Sequence, residues 1–528
     1  MKLYSFNRRK IYFMCIALVM AAVLLMGRLA YLMVAKADYY DSAATQLHER
    51  ERSIKAPRGK IYDRNGNILA DNKAVCSVSV IHSQIEDEEE VIRVLNEHLD
   101  KAEADIRKKV KKVSSRELIA ANIDKTTGDA IRELNVAGIK VDEDYKRYYP
   151  YGSLASKALG FTGSDNQGIV GLEVWYNAIL AGEDGSIRTV TDAKGIELPN
   201  VKETRVSPVP GDNLVLSMDL TIQKYATQAA LAVMEEKQAK RVAMIIMNPK
   251  NGEIYAMVDV PEYDLNHPFQ LNTGIDGYES MTEAQKMDAL NNMWRNFTVS
   301  DTYEQGSTFK IVTATAALEA GTVSLSDIGK LMHNGICLTR KINPGFLKQA
   351  KLLIGLIQIR GSCSFPDRHK CRITGIHQCM PEVFRTMPRR LMTSNPSILY
   401  DLISPIQFVT AAATVINGGN KITPHIGMKV TDADNQVTTN LEYPVTEQAV
   451  SSETSALMRD LLESVVAEGG GSKAQVEGYR IGGKTATSEK YPRGTGKYIS
   501  SFIGFAPAYD PQIMAFVDRK STRLNSSH

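Results

Sequence analysis

Cysteine is scarce in this 528-residue chain: six residues, far too few for a disulfide-stapled scaffold of this length. Net charge is scarce as well. Lys and Arg number 63 and Asp and Glu 60, a balance of +3 that gives no electrostatic case for a nucleic-acid partner. The regular strand–helix–strand alternation of a parallel-sheet protein is missing. Only ten residues precede the first apolar run, which leaves no room for a cytoplasmic effector region there. What is present is a hydrophobic content of 43% and a charged content of 23%, enough to bury a core, in a length that calls for two or three domains. The apolar run Ile11–Gly27 (IYFMCIALVMAAVLLMG) carries no charge and resumes after Arg28 as LAYLMV. Together they reach the roughly 20 residues needed to cross a bilayer. No small-residue cleavage site follows closely, so the expectation is an uncleaved anchor over 11–34, with Arg28 snorkelling to the interface. Arg8, Arg9 and Lys10 place the 1–10 tail in the cytoplasm and the bulk of the chain outside.

Two charge runs of opposite sign, EDEEE (86–90) and RKKVKK (107–112), read as solvated helix faces. Between them VIRVLNEHLDKAEADI has helical spacing. Before them, PRGKIYDRNGNILA carries Asn65-Gly66 between apolar stretches, a hairpin signal. A second Gly-rich stretch runs from Tyr149 to Glu173. These read as an irregular β-rich module over 35–205. A further domain, 206–519, opens with the strand LVLSMD, the helix LTIQKYATQAALAVMEEKQAK and two strands about Pro249–Gly252. Helix IVTATAAL and three late strand-like runs, YRIGGKTATSE, YISSFIGFAPA and QIMAFV, complete it. This order predicts α+β: five antiparallel strands with a central helical insertion.

Within that domain the stretch EQGSTFK (304–310) puts a serine three residues before a lysine. It reads either as a capped helix start or as a nucleophile with its base one turn away. Residues i and i+3 on a helix share a face about 5–6 Å apart at Cβ, so Lys310 reaches the Ser307 hydroxyl. A lysine base must be neutral near pH 7, which burial and a second cation both favour. The Ser307 backbone N–H at a helix start also faces a developing oxyanion. Gly483-Lys484-Thr485-Ala486-Thr487, in a Gly-bounded strand, resembles the K-T-G element of penicillin-binding proteins and serine β-lactamases. The resemblance implies that Lys484 supplies charge beside Lys310, that Thr485 and Thr487 hold the substrate carboxylate, and that the Thr487 N–H completes the oxyanion hole. Ala486 stands where the family has glycine.

The wider likeness is to class B penicillin-binding proteins, membrane-anchored peptidoglycan transpeptidases. It is carried by RGKIYDRNGNILA (with Arg58, Gly59, Asp63, Arg64, Gly66 and Leu69), YYPYGSLASKALGF, GLEVWYNAILAG, WRNFTVSDTYEQGSTFK with Gln305 in place of the usual proline, SPIQFVTAAATVINGG and ITPHIG. It covers roughly 1–330 and 403–518, and KTATSEKYPRGTGKYISSFIGFAPA is most similar to sporulation-type members. The resemblance implies a transmembrane helix, a pedestal (dimerisation-type) domain and a transpeptidase domain with a serine β-lactamase-like fold. It implies D-alanyl-D-alanine transpeptidation of peptidoglycan stem peptides, acylation by β-lactams, no metal or organic cofactor, and a polytopic membrane glycan polymerase as partner. The alternative is a catalytically dead, membrane-anchored scaffold.

The likeness breaks at 331–402, where the family's Ser-x-Asn motif belongs. This stretch holds four of the six cysteines and three of the nine histidines. Seven residues separate Cys363 from Cys371 and Cys371 from Cys379, unlike the short pairs of a zinc site. The abrupt stop and restart point to a shifted reading frame that returns near Ser404, a matter for the coding DNA. Ser362, 55 residues after Ser307, is the positional stand-in for the missing serine, with Ser364 where asparagine is expected. After QIMAFVD the polar tail 520–528 lacks the apolar face of a final helix, which implies a truncated C-terminus and a transpeptidase domain disrupted at 331–402.

Overall fold

A computed structural model of the chain describes residues 8–36, 49–113, 116–190, 204–272, 278–321, 403–489 and 497–521. Helix α1 (Arg8–Ala30) continues as a π-helical turn through Ala35. Its Tyr12–Ala35 portion, 24 residues at a mean hydropathy of 2.3, is long and apolar enough to cross a membrane. Arg28 lies over the Tyr31 ring, 5.5 Å from its centroid, so the one charge in the span sits against an aromatic face.

The chain divides into two compact units. The smaller comprises Met1–Pro57, Ala74–Lys146 and Glu183–Val209. In it the expected single amphipathic stretch is two helices, Glu88–His98 and Glu103–Val110. Asp87 caps the first by accepting from the Glu89 and Glu90 N–H groups, and the glutamates that follow favour the positive helix end. The two charge runs meet: Arg107 pairs with Glu89 at 2.5 Å and with Glu103 at 2.8 Å. Being exposed and screened by solvent, these pairs contribute little. The unit is held instead by Val91, Ile92, Leu95, Ile106 and Val110 packed on Val78, Val80 and Ile119. A three-stranded sheet pairs Glu49–Ile54 with Gly185–Val190, and that strand with Thr204–Val206.

The larger unit comprises Arg58–Lys73, Arg147–Gly182 and Pro210–His528, so both Gly-rich stretches assigned by chain order to 35–205 cluster with the later residues. They join the later residues through Ile61–Tyr62, which pairs parallel with Leu214–Val215, and a buried charge group ties the two stretches to each other. The Arg58 Nε donates to Glu173 at 2.6 Å and the Arg147 Nε donates to the same carboxylate at 2.7 Å. Tyr149 Oη adds a third donor at 3.2 Å. The hairpin expected at Asn65-Gly66 forms: Ile61–Tyr62 pairs antiparallel with Ile68–Ala70, and Gly66 takes φ +85° in the turn. Buried Asp63 accepts from the Asn65, Asn67 and Leu220 N–H groups, which ties that turn to the start of helix α2 (Leu220–Glu236).

Strands β1 (Ala239–Met247) and β2 (Ile254–Val260) form the expected hairpin. Helices α3 (Lys310–Glu319), α4 (Pro405–Ile416) and α5 (Ser452–Ala467) follow, then β3 (Gly482–Glu489), β4 (Tyr498–Ala506) and β5 (Ile513–Ser521). The sheet runs β2-β1-β5-β4-β3, every neighbouring pair antiparallel. This is the α+β arrangement expected from element order. Strand alternation divides the sheet into two faces. Val242, Met244 and Val258 meet Ala226 and Ala230 of α2 on one. Ile245, Ile503 and Phe516 join Ile311, Val312, Phe408, Val409 and Leu462 on the other. Each such large side chain contributes about 1.5–3 kcal/mol on burial. The last strand continues through Ser521, two residues past the expected domain edge at 519, and the helix expected to be missing after it lies outside the described residues.

Candidate active site

The serine-bearing turn is built from both sides. Upstream, Asn296 caps the short helix Phe297–Ser300, and the Phe297 N–H donates to buried Asp259 at 3.0 Å. The chain then reaches Gln305, whose carbonyl accepts from Thr308 Oγ1 at 2.6 Å and from the Thr308 N–H at 3.3 Å. Gly306 takes φ +55°, which favours glycine, and a Cβ there would lie 2.3 Å from Ser488 Oγ, so that hydroxyl would have to turn away. Residues Gly306–Phe309 form a 3₁₀ turn that leads into α3 at Lys310. The expectation was α-helical spacing. In a 3₁₀ turn residues i and i+3 eclipse, which stacks the Ser307 and Lys310 positions more directly. Downstream, α3 is anchored by buried Ile311, Val312, Ala314 and Ala316.

Strand β3 ends the sheet order, so beyond its pairing with β4 it is an edge. Lys484 is 7% exposed and donates to the Thr485 carbonyl at 3.0 Å. Burial first, and the Lys310 charge second, hold the Lys484 ammonium below the usual lysine range. The Lys310 charge is thus felt at Lys484. The Gly306 Cβ position also lies 3.4 Å from Ala486 Cβ, so the serine turn rests on the Ala486–Ser488 part of the strand. The extra methyl at Ala486 fills this contact. Along β3, Lys484 and Ala486 are buried, Thr485 is half-buried and Thr487 exposed: the two threonines alternate with the lysine rather than sharing its face. Behind Ala486, cross-strand neighbours Ser501 and Asp518 are bonded at 2.8 Å. Burial pushes the Asp518 carboxyl up.

The turn that carries Ser307 and leads into Lys310 thus lies against the edge strand that carries Lys484, Thr485 and Thr487. Ser362 and the Cys363, His369, Cys371, His377 and Cys379 group lie outside the described residues. Two site residues escaped sequence reasoning. Ser488 was legible as two positions beyond Ala486 in a period-2 strand. Gln305 stood out only as a replacement for proline, and its contact lies 98 residues away at Ile403.

Residues 53–216 match the penicillin-binding protein dimerisation domain, and residues 242–332 and 392–526 match the penicillin-binding protein transpeptidase domain. The chain belongs to the class B penicillin-binding proteins, which combine these two domains. It is similar to stage V sporulation protein D of Bacillus subtilis, 33% identical over 97% of this chain and 81% of that protein. It is also similar to peptidoglycan D,D-transpeptidase FtsI of Buchnera aphidicola, 27% identical over 96% of this chain and 89% of that one. The fold is shared with a peptidoglycan synthetase from Bifidobacterium adolescentis (TM-score 0.64, 19% identity, 90% of this chain and 93% of that chain). Penicillin Binding Protein 2X from Streptococcus thermophilus shares it too (TM-score 0.65, 18% identity, 89% and 77%). The transpeptidase match resumes at 392, inside the stretch expected to be aberrant, and runs to 526, into the tail expected to be foreign. The unmatched stretch is therefore 333–391, and a disrupted C-terminus finds no support.

Proposed function

We propose that the chain is a D-alanyl-D-alanine transpeptidase that cross-links peptidoglycan stem peptides through an acyl-enzyme on Ser307, in sporulation or septal wall synthesis. Lys310 takes the Ser307 hydroxyl proton as Oγ attacks the carbonyl between the two D-alanines. The oxyanion is received by the Ser307 and Thr487 N–H groups. The C–N bond then breaks, and the terminal D-alanine leaves with the proton. An amine of a neighbouring stem peptide attacks the ester, forms the new peptide bond and restores the Ser307 hydroxyl. The Thr485 and Thr487 hydroxyls hold the donor carboxylate at the edge of β3, Lys484 supplies positive charge beside Lys310, and Ser362 stands in for the third motif. A β-lactam acylates the same serine. The N-terminus lies in the cytoplasm, the catalytic domain outside it, and the anchor and pedestal meet a membrane glycan polymerase.

The observation that supports this reading is the turn Gly306–Phe309, which carries Ser307 and leads into Lys310, seated against the strand of Lys484. The test is labelling of the membrane-embedded protein with a fluorescent penicillin. A covalent adduct that disappears in Ser307→Ala, with an unchanged melting temperature, is the expected result. No adduct on the unsubstituted chain overturns the reading in favour of the scaffold.

A further inference from the structure

The serine turn is held by a side chain with no part in acyl transfer. Gln305 is fully buried, at 0% exposure. Its Nε2 donates to the Ile403 carbonyl at 3.1 Å, and the same carbonyl accepts the Tyr303 N–H at 3.4 Å. Ile403 directly precedes the start of α4, where Ser404 and Gln407 form a capping box and Pro405 opens the helix. Its carbonyl is therefore a rigid point. On the other side, the Gln305 carbonyl receives both Thr308 donors, and Gly306 makes its left-handed step next to it. Gln305 is thus bonded through its side chain to the α4 start and through its backbone to the turn that presents Ser307. Core packing does not account for an amide here. Oε1 is buried without a hydrogen-bond partner among the described residues, and leaving such an oxygen dry is unfavourable.

We propose that Gln305 is a positioning residue: through its bond to the Ile403 carbonyl it fixes the Gly306 step and so the angle at which Ser307 meets the acyl donor. This rests on the Ser307 acyl-enzyme reading. The amide transfers no proton and touches no substrate; it keeps the hydroxyl in a near-attack position, where a displacement of about 1 Å costs up to roughly a hundredfold in rate.

The experiment measures acylation by a fluorescent penicillin over a range of label concentrations, which separates noncovalent binding from the acylation step, beside thermal melts. Gln305→Met keeps shape and removes the bond. Its acylation rate constant is expected to fall roughly 10- to 100-fold, with noncovalent binding unchanged and the melting temperature equal or higher. Gln305→Asn keeps both polar atoms but shortens the reach by one methylene, and is expected to slow acylation in the same way; it serves if Gln305→Met does not fold. Parental acylation rates in the folded variants overturn the inference and leave the Ser307 reading standing. So does weakened noncovalent binding with an unchanged acylation step. Absence of any Ser307-dependent adduct on the unsubstituted protein overturns both.

Discussion

At the scale of single residues, the site is governed by where charge is held out of water. Lys484 is one case. Glu262 is another: it accepts from the Ser156 backbone N–H and from Ser156 Oγ, the latter at 2.6 Å, beside the Lys157–Asp259 pair. Burial outweighs those hydrogen bonds and pushes its carboxyl up to about 7. The native carboxyl thus binds its proton more tightly than the unfolded one, near 4.5. Its contribution to stability is present below that value and is lost as pH rises through about 7. Glu262→Gln is expected to flatten this slope and to raise stability at neutral pH by on the order of 2 kcal/mol. Thermal melts of the two proteins from pH 4.5 upward check it; parallel curves sink the idea. Nothing local in VPEYD announces a raised carboxyl on this half-buried residue, because its partner Ser156 lies more than a hundred positions earlier.

Among elements, the turn before α3 matters most. Its helical continuation was legible from IVTATAAL, whose apolar spacing predicts a helix through Glu319, the residue where α3 ends. Its opening 3₁₀ turn was not, since 3₁₀ and α starts share the same residue preferences. Gly306→Ala is expected to cost about 1–2 kcal/mol for the left-handed backbone alone. The clash with Ser488 adds to this and slows penicillin acylation. Ser488→Gly in the same chain removes the clash and not the backbone cost. Partial recovery of acylation without full recovery of the melting temperature is the expected outcome, and full recovery of both would contradict the assignment. The charged stretch 86–112 makes the converse point. Its helical period was legible, but its division into Glu88–His98 and Glu103–Val110 follows from the two helices folding back so that Arg107 reaches Glu89.

At the scale of the whole molecule, a buried charge group joins the two early stretches of the larger unit, Arg58–Lys73 and Arg147–Gly182. Arg58, Arg147 and Glu173 are all at most 5% exposed. Burial holds the Arg58 guanidinium below its usual value even with Glu173 beside it. Such a group gives little net stability while intact, but removing one partner leaves the others buried and uncompensated. Glu173→Gln is expected to destabilise the unit by about 3–5 kcal/mol and to lower the yield of penicillin-labelled protein, although Glu173 lies far from Ser307 in sequence. Urea denaturation followed by tryptophan fluorescence measures the loss. A change below about 1 kcal/mol, the scale of a surface pair, would show that the group does not organise the unit.

The amino-acid sequence suffices for the features that depend on short spacing. These are the apolar span, the Ser307–Lys310 pair, the Lys484-Thr485-Ala486-Thr487 strand, the Asn65-Gly66 turn and the α+β class, because helix and strand periods act over a few residues. Tertiary structure alone decided that Gln305 bonds Ile403, that Arg58 and Arg147 share Glu173, and that Ser488 closes on Gly306. Those contacts join positions tens to more than a hundred residues apart. Their existence depends on which surfaces the sheet and helices bury together, and no local pattern encodes that.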